Sequence, residues 1–268
     1  MDFFIQLRPV YQAAIATGFT YGVTALGAGI VFFFKKVNRQ VLDSMLGFGA
    51  GVMIAAAFWS LLSPAIELCE SLGYSTWAVP ASGFFVGGVF IIAGDFLLGR
   101  CSFLEVAEDH AHDRQSRKRS ILLITAITLH NIPEGMAVGV AFGGAAAALT
   151  GPGSLGAVIL ALGIGLQNFP EGASVSLPLR REGCSRGKSF FYGQLSGMVE
   201  PVAGIVGAAA AVAAESILPF LLAFSAGAMI AVCASELIPE SSRSHKRLAT
   251  LGVIAGFMVM MILDVSLG

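Results

Sequence analysis

Leu129-His130-Asn131-Ile132-Pro133-Glu134-Gly135-Met136-Ala137 is answered 37 positions further on by Gln167-Asn168-Phe169-Pro170-Glu171-Gly172-Ala173. Both stretches read ligand, Asn, apolar, Pro, Glu, Gly, small, and both lie inside long apolar segments. Positions i and i+4 of a helix share a face, so His130 points with Glu134 and Gln167 with Glu171. Each proline removes a backbone N–H and leaves a carbonyl one turn earlier without its usual partner. The glycine after each glutamate lets another backbone approach. Two proline-interrupted helices carrying imidazole, amide and carboxylate groups describe a metal site built between helices.

The segments around these motifs place them in a membrane. The chain has 268 residues, 56% hydrophobic and only 12% charged, with a mean hydropathy of +0.79. Soluble domains carry about 25% charged residues, so this charge cannot cover a globular surface. The 33 glycines suit close helix packing in lipid. Met1–Arg8 lacks the basic start, short apolar run and cleavage site of a signal peptide, so the first apolar segment is expected to stay as a helix. Cys69, Cys101, Cys184 and Cys233 form no CxxC pair, which argues against a disulfide framework or a thiolate zinc site. A formal net charge of −1 identifies no partner by itself, and no nucleic acid is expected.

About 20 apolar residues span the hydrocarbon core as a helix. Eight segments qualify, near 9–34, 42–66, 76–99, 120–147, 154–179, 189–213, 217–238 and 247–266. Fifteen of the sixteen Lys and Arg follow the first, third, fifth and seventh of these, and only Arg8 lies elsewhere. The positive-inside rule then makes those connections cytoplasmic and puts both termini outside. The expected fold is an all-α integral membrane protein of eight helices in the plasma (inner) membrane, one transporter-sized domain over 1–268. In a 3+2+3 arrangement the fourth and fifth spans form the central, motif-bearing pair; they run in opposite directions, as an inverted repeat requires. The longest connection, about 101–119, holds Glu105, Glu108, Asp109, His110, His112 and Asp113 before its basic run. It reads either as a solvated loop or as a cytoplasmic metal-catching segment, since His with carboxylates binds borderline metals.

Depth ties the polar groups together. At a rise of about 1.5 Å per residue, His130 lies about 16 Å along its helix from Arg119, Glu171 about 14 Å from Arg180 and Glu200 about 18 Å from Lys188. All three fall near the middle of a core about 30 Å thick. An ionised side chain there costs roughly 2.5–3.5 kcal/mol on the insertion scale, so Glu134, Glu171 and Glu200 need a cation, protons or cavity water. Taken singly, Asn131, Gln167 and Asn168 could simply bridge helices, and Met53 could be packing. The repeat of the motif and the shared depth favour a metal site. Met53, Ser60 and Glu67 recur every seven residues and are expected to line one stripe of the second helix. Ser235, Glu236 and Glu240 fall toward the cytoplasmic end of the seventh, and Asp95 toward that of the third. Asp43 reads most simply as the N-cap of the second helix.

These motifs resemble those of the ZIP (Zrt/Irt-like) divalent metal transporters, and within them the prokaryotic GufA-like branch. The resemblance covers essentially the whole chain, and it rests on HNIPEG at 130–135 followed by QNFPEG at 167–172. It implies that His130, Gln167, Glu134 and Glu171 hold one metal, with Met53 at its edge. It likewise implies that Asn131, Asn168 and Glu200, with the shared Glu134 and Glu171, hold a second. Uptake toward the cytoplasm, a homodimer, and an elevator-like motion of helices 1, 4, 5 and 6 against the rest are further implications. Where better-known members read HExPHE in the fifth helix, this chain has Gln167, Asn168, Glu171 and Gly172 at the His, acidic, His and Glu positions. The N and O ligand set suits Zn²⁺, Fe²⁺, Mn²⁺ or Cd²⁺ as substrate ions at moderate affinity, with no separate cofactor. A proton-coupled transporter of an organic solute would use the same carboxylates as proton relays. An intramembrane metalloenzyme would want a motif such as HExxH, which is absent, so no enzyme is expected.

Overall fold

A computed structural model describes residues 2–34, 38–104, 128, 131–145, 154–181 and 183–267. The described residues are helical with no strand, the arrangement that lets every backbone group find a partner within its own segment in lipid. After a short turn at Asp2–Ile5, α1 runs Pro9–Gly29. Its start is fixed by proline at the first helical position, where a missing N–H costs nothing. Helix α2 (Arg39–Ala56) continues through a π-helical stretch, Ala57–Leu62, into α3 (Ser63–Ser71). Then come α4 (Ala78–Leu104), α5 (131–145), α6 (Ser154–Arg181), α7 (Arg186–Gly197) and α8 (Val199–Ala213). Helix α9 (Leu218–Val232) passes through a second π-helical stretch, Cys233–Leu237, into α10 (Ile238–Leu267).

Two expectations about helix ends change. The N-cap of α2 is Asn38, whose Oδ1 accepts from Gln40 N at 2.9 Å. Asp43 is therefore one turn inside the helix, and it is fully buried because Arg39 and His245 pair with it. The connection expected between 238 and 247 is itself helical; the chain breaks only at His245 (φ −129°, ψ 62°). By contrast α6 runs on through Pro170 and Pro178 without ending.

The helices pack in two groups. Helix α1 lies along α6, α7 and α8, and α5 crosses α8. On the other side α2 runs along α10, and α4 along α9. The groups meet chiefly where α2 and α10 pass α6. The contact is close: a Cβ at Gly49 would stand 3.3 Å from Gln167 Cβ, and one at Gly163 3.5 Å from Val52 Cγ1. Outside these contacts the surface stays apolar, with Phe85, Val86, Val89, Phe90, Phe96 and Leu97 of α4 all exposed. A run of this kind fits lipid and not water. Among the described residues, five helical stretches are long and apolar enough to cross a membrane: Pro9–Phe32, Arg39–Ser71, Ala78–Leu97, Arg186–Ala213 and Leu218–Ser266.

Candidate metal site

Helices α5, α6 and α8 bring six of the sequence-identified polar side chains into the interior. Asn131, Glu134, Gln167, Asn168, Glu171 and Glu200 are between 0% and 5% exposed. The glycines explain how the helices come close enough. A methyl at Gly135 would collide with the backbone of Glu200, and one at Gly172 with the Thr24 carbonyl. The chain thus draws α8 against α5 and α1 against α6 beside each motif glutamate. His130, His110 and His112 lie outside the described residues.

Hydrogen bonds divide the six. Asn168 Nδ2 donates to both carboxylate oxygens of Glu200, at 3.0 and 2.9 Å, and lies 3.3 Å from the Thr20 carbonyl. The Thr20 and Thr24 hydroxyls also donate to Glu200, the latter at 3.3 Å. Gln167 Nε2 donates to Asn168 Oδ1 at 3.0 Å, and Asn131 Nδ2 to the Ser196 carbonyl at 2.9 Å. What remains is oxygen. Asn131 Oδ1 and Glu134 Oε2 are buried with no hydrogen-bond partner among the described residues. Leaving a buried polar group unpaired costs about 1–3 kcal/mol, so both oxygens are open to a cation or, at Glu134, to a proton. Glu134 also lies within electrostatic reach of Glu171 and Glu200, and like charges so placed call for a proton or a cation. No three His, Cys, Asp or Glu side chains converge among the described residues.

Below this level opens a cavity of about 190 Å³. Glu134, Glu171, Ser174 and Pro178 line one wall; Val232, Glu236, Leu237, Glu240 and Arg243 line another. Along α6 and along the α9–α10 junction these positions advance together toward the ends that carry Arg180 and Arg243. Two of the candidate pathway residues, Glu236 and Glu240, thus share a cavity with two of the candidate ligands.

The remaining candidates are scattered. Met53 is fully buried in the apolar core, one turn beyond the Gly49 contact with Gln167. Ser60 donates to Asp264 Oδ1 at 2.7 Å, and Asp264 Oδ2 is buried and unpartnered. Glu67 is exposed and Ser235 is exposed, its hydroxyl bonded back to Ala231 O at 2.9 Å. The expected Met53–Ser60–Glu67 stripe is interrupted because Ala57–Leu62 is wound as a π-helix, which shifts the face of everything after it. Thr20, Thr24 and Asp264 escaped the reading of the sequence. Thr17, Thr20 and Thr24 recur at helical spacing and are all fully buried, a polar stripe in an apolar span that could have revealed two of them. Asp264 is an acid within the last apolar span, itself a functional signal.

The family model described as ZIP Zinc transporter matches residues 102–264. Zinc transporter ZIP11 of Xenopus tropicalis is 42% identical, over 97% of this chain and 98% of its own length. Zinc transporter GufA of Myxococcus xanthus is 37% identical, over 91% and 94% respectively. For zinc transporter ZIPB of Bordetella bronchiseptica the identity is 34%, over 92% and 79%.

Proposed function

The chain belongs to the ZIP zinc transporter family, and from that premise we propose that it moves Zn²⁺ toward the cytoplasm through a two-metal site between α5, α6 and α8. It is a multi-pass membrane protein, a transporter of divalent metal and not an enzyme. In the proposed site His130, Gln167, Glu134 and Glu171 hold one ion, with Met53 at its edge. Asn131, Asn168 and Glu200 hold the other with the shared Glu134 and Glu171. The observation that carries this reading is the pair of buried, unpartnered oxygens, Asn131 Oδ1 and Glu134 Oε2, with Glu134 lining the same cavity as Glu171. Fe²⁺, Mn²⁺ and Cd²⁺ suit the same N and O donors.

The cavity past Glu236 and Glu240 serves as the release path, and Ser60, Glu67 and Asp264 mark the approach from the other side. Ser235, His110 and His112 tune metal release in this reading. The eight apolar segments make eight crossings of the inner membrane, and the arginine and lysine distribution puts both termini outside. The 49 residues of Leu218–Ser266 make two of those crossings. All 268 residues form one transport domain, which works as a homodimer. Of the two helix groups, α1, α5, α6, α7 and α8 slide against the group built on α2 and α10.

Uptake by the purified protein in sealed vesicles, measured for Zn²⁺, Cd²⁺, Fe²⁺ and Mn²⁺ in turn, tests the proposal. Metal-dependent uptake that Glu171→Ala removes is the expected result. Uptake unchanged by Glu171→Ala, or uptake of an organic solute without metal, would sink it.

A further inference from the structure

Glu240 stands on the wall of the cavity that reaches Glu134 and Glu171, yet it is not a free carboxylate. Arg39 Nη2 donates to Glu240 Oε1 at 2.8 Å and to its backbone carbonyl at 3.2 Å. Arg243 Nε lies 3.1 Å from the other oxygen, Oε2. Arg39 is fixed in turn: its Nε is 2.7 Å from Asp43 Oδ1, and Asp43 Oδ2 is 3.0 Å from His245 Nδ1. A continuous chain of contacts therefore runs from the break in α10, through a fully buried aspartate in α2, to the cavity wall. A planar guanidinium held on two sides presents its remaining N–H groups in one orientation only.

An unpaired carboxylate facing a cation path is a binding site, and a path that conducts must not hold its ion. We propose that Arg39 is a positioning residue for ion release: by keeping Glu240 charge-paired, it prevents a departing divalent cation from being retained at the cavity wall. The inference rests on the proposed function, which makes this cavity the release path. Glu236, on the same wall one turn away, has Asp95, Glu240 and Arg243 as its charged neighbours. Freeing Glu240 would thus add a second carboxylate to one already near the path.

The test counts bound metal and measures rate separately. In the full-length Glu171→Ala protein, with the central site disabled, equilibrium dialysis against Zn²⁺ should show one additional weakly bound ion when Arg39→Gln is introduced. That ion should disappear when Glu240→Gln is added. In the otherwise unaltered protein Arg39→Gln should slow vesicle uptake about fivefold, the upper range for a partly exposed ion pair, and Arg39→Gln with Glu240→Gln should recover it. A purely structural role for Arg39 would give no recovery. Arg243→Gln frees the same carboxylate from a residue 74% exposed and leaves the partners of Asp43 untouched, so it should act in the same direction, more weakly, even where Arg39→Gln folds poorly. No extra ion in either single variant, or no recovery in the double, overturns the inference. Normal uptake by Glu171→Ala overturns the proposed function instead.

Discussion

At the scale of single residues, the site combines carboxylates that must shed protons with amides that cannot take them up. Glu171→Ala and His130→Ala should each bring vesicle uptake to background while leaving the protein inserted, because each removes a proposed ligand and not an apolar packing group. Metal-loaded ligands are deprotonated, so protons and metal compete. With an ordinary imidazole midpoint of about 6.5 and ordinary carboxylates lower, metal affinity should fall as pH drops from about 7.5 to about 5.5. The carboxylates titrate as a group, so the protons belong to the site. Calorimetry in buffers of different ionisation enthalpy counts them, and zero release across that window would contradict the competition. Asn168→Asp removes the amide that donates to both oxygens of Glu200 and puts a carboxylate in its place. The metal-free variant should melt below wild type and gain more in Tm from Zn²⁺ than wild type does. An equal Zn²⁺ shift in both proteins would place Asn168 outside the second metal's reach. The burial of Asn131, Glu134, Gln167, Asn168, Glu171 and Glu200 was legible in the sequence, because a repeated Pro-Glu-Gly at shared depth is better explained by a common polar site than by separate helix bridges. Thr20 and Thr24 were not, because a hydroxyl bonded within its own helix and one bonded to Glu200 look alike in one dimension.

Element by element, legibility followed periodicity. Apolar segments marked the helices well, since burial in lipid demands a complete helix whatever its local propensity. Helix ends were harder: Asn38 and Asp43 are both good caps, and only the Arg39 and His245 contacts decide that Asp43 is buried inside α2. The π-helical stretches at Ala57–Leu62 and Cys233–Leu237 carry no sequence mark, which is why the seven-residue stripe could not hold. Close approach between helices gives the sharpest prediction at this scale. Gly172→Ala would push a methyl into the Thr24 carbonyl, whereas Gly18→Ala meets nothing within 4 Å. The first should destabilise by about 1–3 kcal/mol, the usual result of overpacking, and the second should be neutral or slightly stabilising, as alanine replaces glycine in a helix. Thermal unfolding of the two variants in one detergent compares them directly. Equal Tm values would mean that α1 and α6 do not depend on this contact.

Over the whole molecule, two packed groups of helices meet along the faces where α2 and α10 pass α6. Glycines sit at the meeting place: Gly49 faces Gln167, and Gly163 faces Val52 and Met260. Glycines let backbones lie close at such an interface, which suits the proposed sliding of one group past the other. Helix α6 carries Gln167, Asn168 and Glu171, and it would take the ion with it. Cross-linking across the interface should therefore stop transport without touching a ligand. A Cβ at Gly163 would lie 3.5 Å from Val52 Cγ1, which puts Gly163→Cys and Val52→Cys within disulfide range. Met260 is the flexible neighbour that must yield to the new side chain. Under oxidising conditions the double variant should lose Zn²⁺ uptake, and a reducing agent should restore it. Each single cysteine should transport under both conditions, which separates the cross-link from the native Cys69, Cys101, Cys184 and Cys233. Full uptake by the oxidised, cross-linked protein would mean that the two groups stay fixed while the ion passes, and that the release path opens by a smaller movement of the cavity walls.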